Sequence, residues 1–467
     1  MRFNVVSLFS GCGGLDKGFE LAGPFKVVWA NDIYEPACRS FSKNFGLEIV
    51  RESAFGKVFC GDVEDADFST IITRQGIDVV IGGPPCQDFS LIRGSEKRRG
   101  VLVKRGRLYV HFIRALVTLQ PKAFVFENVK GLMSANEGEA FSQILKDFAN
   151  LNLRWPEMWH NHKKIVDAVK KSNKIKNYEI LFSSVVGFSK IGVPQERERV
   201  IVIGIRKDLA DQIDFYEAKK KAVEALTGGD DLMTASFPLT PIEAFQGKPL
   251  IELEDVYRNI MLEYKEVQRS IHSLKSDQYF STVWDRMNFE IWHDYLVTNG
   301  LSPIINDKVK EKVTKRHEEI LKELGYYCKP LHKQYFEDGS NNQIFLEQEH
   351  VKLRMSFIPP GENHEFVRGT DYEVAGLMSN IYKRIHPLRP SPTVIARGGG
   401  GTWGYHYKRE KQRLTNRERA RLQTFPDNFL FEGTPTEVRR QIGEAVPPLA
   451  SKRIANIILK ILEKLNN

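Results

Sequence analysis

Cys86 stands directly behind Gly82-Gly83-Pro84-Pro85, which follow Asp78, Val79, Val80 and Ile81, an apolar run of strand length. The two prolines fix two φ angles and withdraw two backbone donors, so the thiol sits on a stiff tether just past a strand end. A free thiol is the most nucleophilic of the ordinary side chains near neutral pH. The residue is either such a nucleophile or the small buried hydrophobe that most unpaired cysteines are. A second reactive tip follows, because Ala123 to Phe126 reads as another strand and delivers Glu127 and Asn128. A third group is the run Val193 to Arg199, in which Gln195, Arg197 and Arg199 alternate and would share one face of an extended segment. Between Cys86 and Leu108, the stretch Arg93 to Arg107 carries seven basic residues and one acidic one. Such a loop suits closure over a phosphate backbone.

These groups need a frame that brings strand ends together. Phe3 to Phe9 is an apolar run of strand type, and Gly11, Gly13 and Gly14 follow it in a turn where backbone can approach a ligand. A short helical stripe from Leu15 then ends at Gly23. A second strand, Lys26 to Ala30, ends in Asn31 and Asp32. Asp32 lies about twenty residues past the glycine turn, where ribose hydroxyls are held in dinucleotide-type folds. Its alternative role is a cap for the helix beginning at Tyr34, and its position relative to the glycines favours the ligand. Val58 to Cys60 reads as a third strand closing on Gly61 and Asp62, Leu108 to Leu119 as a helix, and Tyr178 to Ser183 and Val200 to Ile205 as further strands. Strand–helix alternation predicts an α/β domain with a mostly parallel sheet and a ligand crevice at the carboxyl ends of its strands.

The chain has 467 residues, enough for two or three domains. From residue 207 to 382 the composition shifts to charged helical stretches with aromatics, which predicts a second, smaller domain after a first one at 1–206. Residues 383–467 return to complete both. In the second domain, Thr282 to Tyr295 interleaves aromatics with charges; core packing is favoured over a nucleic-acid face. In the return segment, His386 to Gly401 reads as a strand region, and Thr415 with Glu418 as a capping box. The stripe Ile454, Ile457, Ile458, Ile461, Leu462 and Leu465 predicts a helix packed on the first domain. Lys and Arg number 68 against 59 Asp and Glu, a net charge of +9 that suits a polyanionic partner. Five scattered cysteines without CxxC spacing argue against a disulfide framework and a structural zinc. Nothing in the sequence resembles a membrane span or secretory signal, so an intracellular protein is expected.

Taken in order, FSGCGG, GGPPCQDFS, FENVKGL, QERER, RPSPT and GEAVPP resemble the DNA cytosine-5 methyltransferases, the bacterial restriction-modification type in particular. The resemblance covers the chain apart from its middle domain, which in that family is the variable target-recognition region. It implies a Rossmann-like fold that uses S-adenosyl-L-methionine as methyl donor and no metal. It implies Cys86 as nucleophile toward carbon 6 of a flipped-out cytosine and Glu127, its pKa raised by burial at a strand tip, as the group at ring nitrogen 3. Arg199, with Arg197, would hold the exocyclic oxygen. On the cofactor side it implies Phe9, Gly11, Gly13 and Gly14 at the methionine end, Asp32 with Ile33 at the ribose, Asp62 with Val63 at the adenine, and Pro84, Glu444 and Ala445. Pro85, Gln87, Ser90, Asn128 and Gln195 would touch the substrate. It further implies double-stranded DNA as partner, a monomer in the bacterial cytoplasm at the nucleoid, and a companion restriction endonuclease that forms no stable complex with it. Glu444 departs from the family's usual Asn. Asp88 departs by placing a negative charge near the thiol, which would raise its pKa. Rival readings are a transfer-RNA cytosine-5 methyltransferase, a DNA-binding regulator without turnover and, made remote by the lack of GxGxxG, a nicotinamide oxidoreductase.

Overall fold

The strands form where apolar runs can be buried on both faces. β1 (Phe3–Leu8) is buried at all six positions, as a strand flanked by helices on either side requires. The computed structural model describes residues 2–72, 76–85, 108–151, 176–229, 235–331, 341–374, 381–396, 404–410 and 413–466. Around β1 it assembles β2 (Phe25–Asp32), β3 (Glu48–Val50), β4 (Lys57–Cys60), β5 (Val79–Gly82), β6 (Ala123–Val129), β7 (Tyr178–Gly187), β8 (Gln195–Glu196) and β9 (Glu198–Arg206). Apart from β8, these make an eight-stranded sheet in the order β3-β4-β2-β1-β5-β6-β9-β7. The first six are parallel, and β9 and β7 close the far edge antiparallel. The order reverses at β1, where β2 lies on one side and β5 on the other. In an open α/β sheet such a reversal opens the ligand crevice.

The chain divides into two compact units, residues 1–188, 198–230 and 445–467 forming the first, and 189–197 and 231–444 the second. In the first, α1 (Gly14–Leu21) and α2 (Glu35–Phe45) follow β1 and β2, and α3 (Leu108–Leu119) and α4 (Glu139–Ala149) flank β6 in sequence. Phe112, Phe124, Phe126 and Phe148 interlock beneath the sheet, with Phe124 and Phe148 centroids 4.6 Å apart. The helix Pro448–Lys464 packs on α1. The fit is close: a Cβ added at Gly18 would stand 2.3 Å from Ser451 Cβ, and Ser451 Oγ donates to Leu15 O. This first unit runs past residue 206, where the composition changes. The helix Phe215–Thr227 is charged outside but turns buried Ala222 and Leu226 inward and packs on β7.

The second unit is helical, and its interior is aromatic. Tyr279, Phe280, Trp284 and Phe366 make a cluster of edge-to-face and tilted contacts, with Phe289 against Trp284. The tryptophan-bearing segment therefore builds core, as its aromatic content suggested. The capping box of Thr415 and Glu418 is formed and starts the helix Asn416–Leu422. The strand region expected over 386–401 is a correction: among described residues it holds only β10 (Ser391–Pro392), which pairs with β8. Prolines at 387, 390 and 392 remove the donors a longer ladder would need.

Candidate active site

Two charged side chains meet at the junction of β6 and β9. Glu127 lies on β6, Arg199 lies opposite Val129 on β9, and Arg199 Nε stands 3.0 Å from Glu127 Oε1. Their diagonal relation across an antiparallel pair suits two long side chains. Both are largely but not wholly buried, at 13% and 16% side-chain exposure, so the pair is mostly shielded from bulk water yet keeps an accessible edge. The other carboxylate oxygen rests on the chain leaving β5. A Cβ added at Gly83 would stand 2.6 Å from Glu127 Oε2, so Gly83 makes room for the acid. Asn128, 2% exposed, donates from Nδ2 to Pro84 O at 3.0 Å and accepts Val129 N at 2.9 Å. It pins the start of the proline tether to the strand that carries the acid. Pro84 is buried and Pro85 exposed. Cys86, Gln87, Asp88, Ser90 and the basic stretch to Arg107 lie outside the described residues; the described chain ends one residue before the thiol.

The crevice beside β1 is built by side chains that hold backbone. Asp32 Oδ2 accepts Gly11 N at 2.8 Å, while its Oδ1 accepts Tyr34 N at 2.8 Å. The carboxylate thus braces the glycine turn and caps the entry to α2, which are the contacts of the capping role. Asn31 donates to Phe59 O and Gly61 O at 3.0 and 2.9 Å, tying the end of β2 to that of β4. Phe9 sits at φ +53, an unusual conformation for an aromatic residue, at the point where β1 gives way to the turn. Gly11 has φ +55 and open space where a Cβ would lie. Gly13, at φ +96, would push a Cβ into the Phe45 and Phe41 rings. Gly14 opens α1. Ile33 is 71% exposed, an apolar surface at the rim. Asp62 is exposed, caps Glu64 N at 3.0 Å, and precedes buried Val63. An open glycine cradle, an exposed aliphatic side chain and two carboxylates at adjacent strand ends fit an adenosyl amino acid. Beneath them, Asp16 in the first turn of α1 is fully buried.

Two expectations need correcting. Arg197 is 2% exposed and donates to Val394 O at 3.2 Å and Gly443 O at 3.1 Å. Gln195 is fully buried, accepts Val394 N at 2.7 Å and donates to Gln423 Oε1 at 3.0 Å. Both are committed to the interior of the second unit, so neither is presented to a substrate. Glu444 is exposed, and its carboxylate is held by Arg440 of the same helix at 3.0 Å. Alongside these, Lys130, the residue after β6, pairs with Glu198 at the start of β9 at 2.8 Å. No sequence pattern singles that pair out, since it depends on strand register.

The sequence profile of the C-5 cytosine-specific DNA methylases matches residues 3–460. The chain belongs to this family. It is 48% identical over 472 residues, 99% of each chain, to DNA (cytosine-5-)-methyltransferase M.ApeKI of Aeropyrum pernix. It is 32% identical to Type II methyltransferase M.NgoFVII of Neisseria gonorrhoeae, over 98% of this chain and 86% of that one. The solved structure of a protein encoded within an E. coli prophage shares the fold at TM-score 0.52 and 22% identity, over 99% of this chain and 100% of that one. The protein is thus a DNA (cytosine-5-)-methyltransferase, and its methyl donor is the family's, S-adenosyl-L-methionine. No helix among the described residues is long and apolar enough to cross a membrane.

Proposed function

We propose that the enzyme methylates carbon 5 of a cytosine turned out of duplex DNA, through a transient bond between that cytosine and Cys86. The observation that carries the reading is the Arg199–Glu127 pair, seated against Gly83 three residues before the thiol. Carbon 5 of cytosine is a poor nucleophile until another group adds at carbon 6. The Cys86 thiolate adds there, and the electron pair it displaces moves onto ring nitrogen 3. Glu127 binds or protonates that nitrogen, and Arg199 holds the exocyclic oxygen. When bound, S-adenosyl-L-methionine supplies an electrophilic methyl group. A base then removes the proton from carbon 5, and the electron pair of that bond expels Cys86 as thiolate. Phe9, Gly11, Gly13 and Gly14 would receive the methionine end, Asp32 and Ile33 the ribose, Asp62 and Val63 the adenine, and Pro84 and Ala445 would complete the cofactor's surroundings. Pro85, Gln87 and Ser90 surround the base, while Asn128, expected there too, is spent on holding Pro84 and Val129 and acts behind them. Extrusion costs a few kcal/mol, which contacts from the basic stretch 93–107 and the second unit offset.

The name of the Neisseria relative supports a type II modification enzyme; we further propose that it acts at a defined sequence in the cytoplasm, as a monomer, alongside an endonuclease that it does not stably bind. The test is DNA carrying 5-fluorocytosine, whose carbon 5 cannot release a proton. With S-adenosyl-L-methionine present, the protein should be trapped covalently, and peptide mapping should find the bond at residue 86. An adduct at another residue, or active methylation with no adduct, overturns the mechanism.

A further inference from the structure

Arg114 lies on α3 at 0% exposure, surrounded by the phenylalanines and aliphatic side chains of the first unit's core. A buried guanidinium is expensive, and an apolar side chain of similar size often serves stability as well or better. What this one does is specific. Nη2 donates to Val63 O at 2.5 Å and Nη1 to Glu64 O at 3.1 Å, and the guanidinium lies over the Phe68 ring, 4.7 Å from its centroid. The two carbonyls belong to the short turn Val63–Asp65, whose cap is Asp62. Asp62, Glu64, Asp65 and Asp67 all act on the cation to keep it charged, against burial that lowers its pKa to about 10. The acidic turn is therefore gripped from inside, while the Asp62 carboxylate stays outside and exposed. A lysine could supply the charge, but gripping two consecutive carbonyls calls for a planar fork.

We propose that Arg114 is a positioning residue for the cofactor, holding the turn that carries Asp62 and Val63 in the shape that receives the adenine ring. The inference rests on the proposed assignment of Asp62 and Val63 to the adenine, and the test separates the two. Arg114 itself touches no reacting atom; it acts through the turn.

The experiment uses the full-length enzyme with Arg114→Met, Arg114→Lys, Asp62→Ala and the Arg114→Met/Asp62→Ala double variant. Calorimetry measures binding of S-adenosyl-L-methionine and of an analogue methylated at the adenine amine, and steady-state assays give KM and kcat. Arg114→Met should weaken the natural cofactor by about tenfold or more, raise KM more than it lowers kcat, and shrink the preference over the amine-methylated analogue. Arg114→Lys should recover part of each effect, and remains informative if Arg114→Met does not fold. In the Asp62→Ala background, Arg114→Met should add little. The proposal is overturned if a folded Arg114 variant keeps the wild-type preference between the two cofactors, or if its losses simply add to those of Asp62→Ala. If Asp62→Ala itself leaves binding and preference unchanged, the adenine assignment fails first.

Discussion

Replacing Asp16 with Asn should stabilise the protein at alkaline pH, by an amount that the carboxyl's surroundings set. The residue is fully buried in α1, and burial raises its pKa from 3.8 to about 7, with a contact to the Ser7 hydroxyl working the other way. Between those two values the native state holds a proton that the unfolded chain has released. Stability therefore falls as pH rises through this window, at about 1.4 kcal/mol per pH unit, and levels off above pH 7. From pH 5 to pH 8 the wild type should lose about 3 kcal/mol from this one group. Asn keeps the shape and never ionises, so the variant escapes that loss. Urea denaturation of both proteins at pH 5, 6, 7 and 8, followed by a probe of the first unit, gives the difference in stability at each pH. Taking the difference cancels other titrations common to both. The gap should widen by about 3 kcal/mol in favour of the variant. A gap that stays constant with pH would refute the argument, because it would show that Asp16 titrates alike in the folded and unfolded chains.

The site makes sharper demands on single atoms. Gly83→Ala should displace the Glu127 carboxylate and cut kcat by about a hundredfold, while S-adenosyl-L-methionine binding stays near wild type in calorimetry. The two arginines should separate: Arg199→Ala should abolish most methyl transfer with little change in melting temperature, and Arg197→Ala should lower stability by about 3 kcal/mol through two carbonyls left buried without their donor. Parallel activity and thermal-melt measurements check that pair. Gly18→Val should destabilise by about 2 kcal/mol as α1 is forced off the helix Pro448–Lys464, read from the denaturation midpoint.

What the sequence revealed and what it hid divide along physical lines. Strand tips bearing Asp32, Asp62 and Glu127 were legible because short β-prone runs break abruptly into turn residues. The helix Leu108–Leu119 and the Thr415 capping box depend on near neighbours and were equally readable. Arg197 and Gln195 were misplaced because alternation assigns a shared face but cannot say what that face meets. They face the interior of the second unit, through contacts with residues about 200 or more positions away. The edge strand β3, three residues long, carries too little pattern to stand out. Arg114 read as an ordinary helix position, since the carbonyls it holds lie fifty residues upstream and carry no side-chain signature.

The contact between Ser451 and Leu15 spans 436 positions of chain. Along the chain Pro448–Lys464 lies far downstream of α1, so during synthesis the face of α1 that this helix covers stays bare until the later segment has emerged. Closing so long a loop is slow. A nascent chain halted before residue 448 would hold Cys86, Glu127 and Arg199 and yet leave bare the face of α1 that carries Leu15 and Gly18.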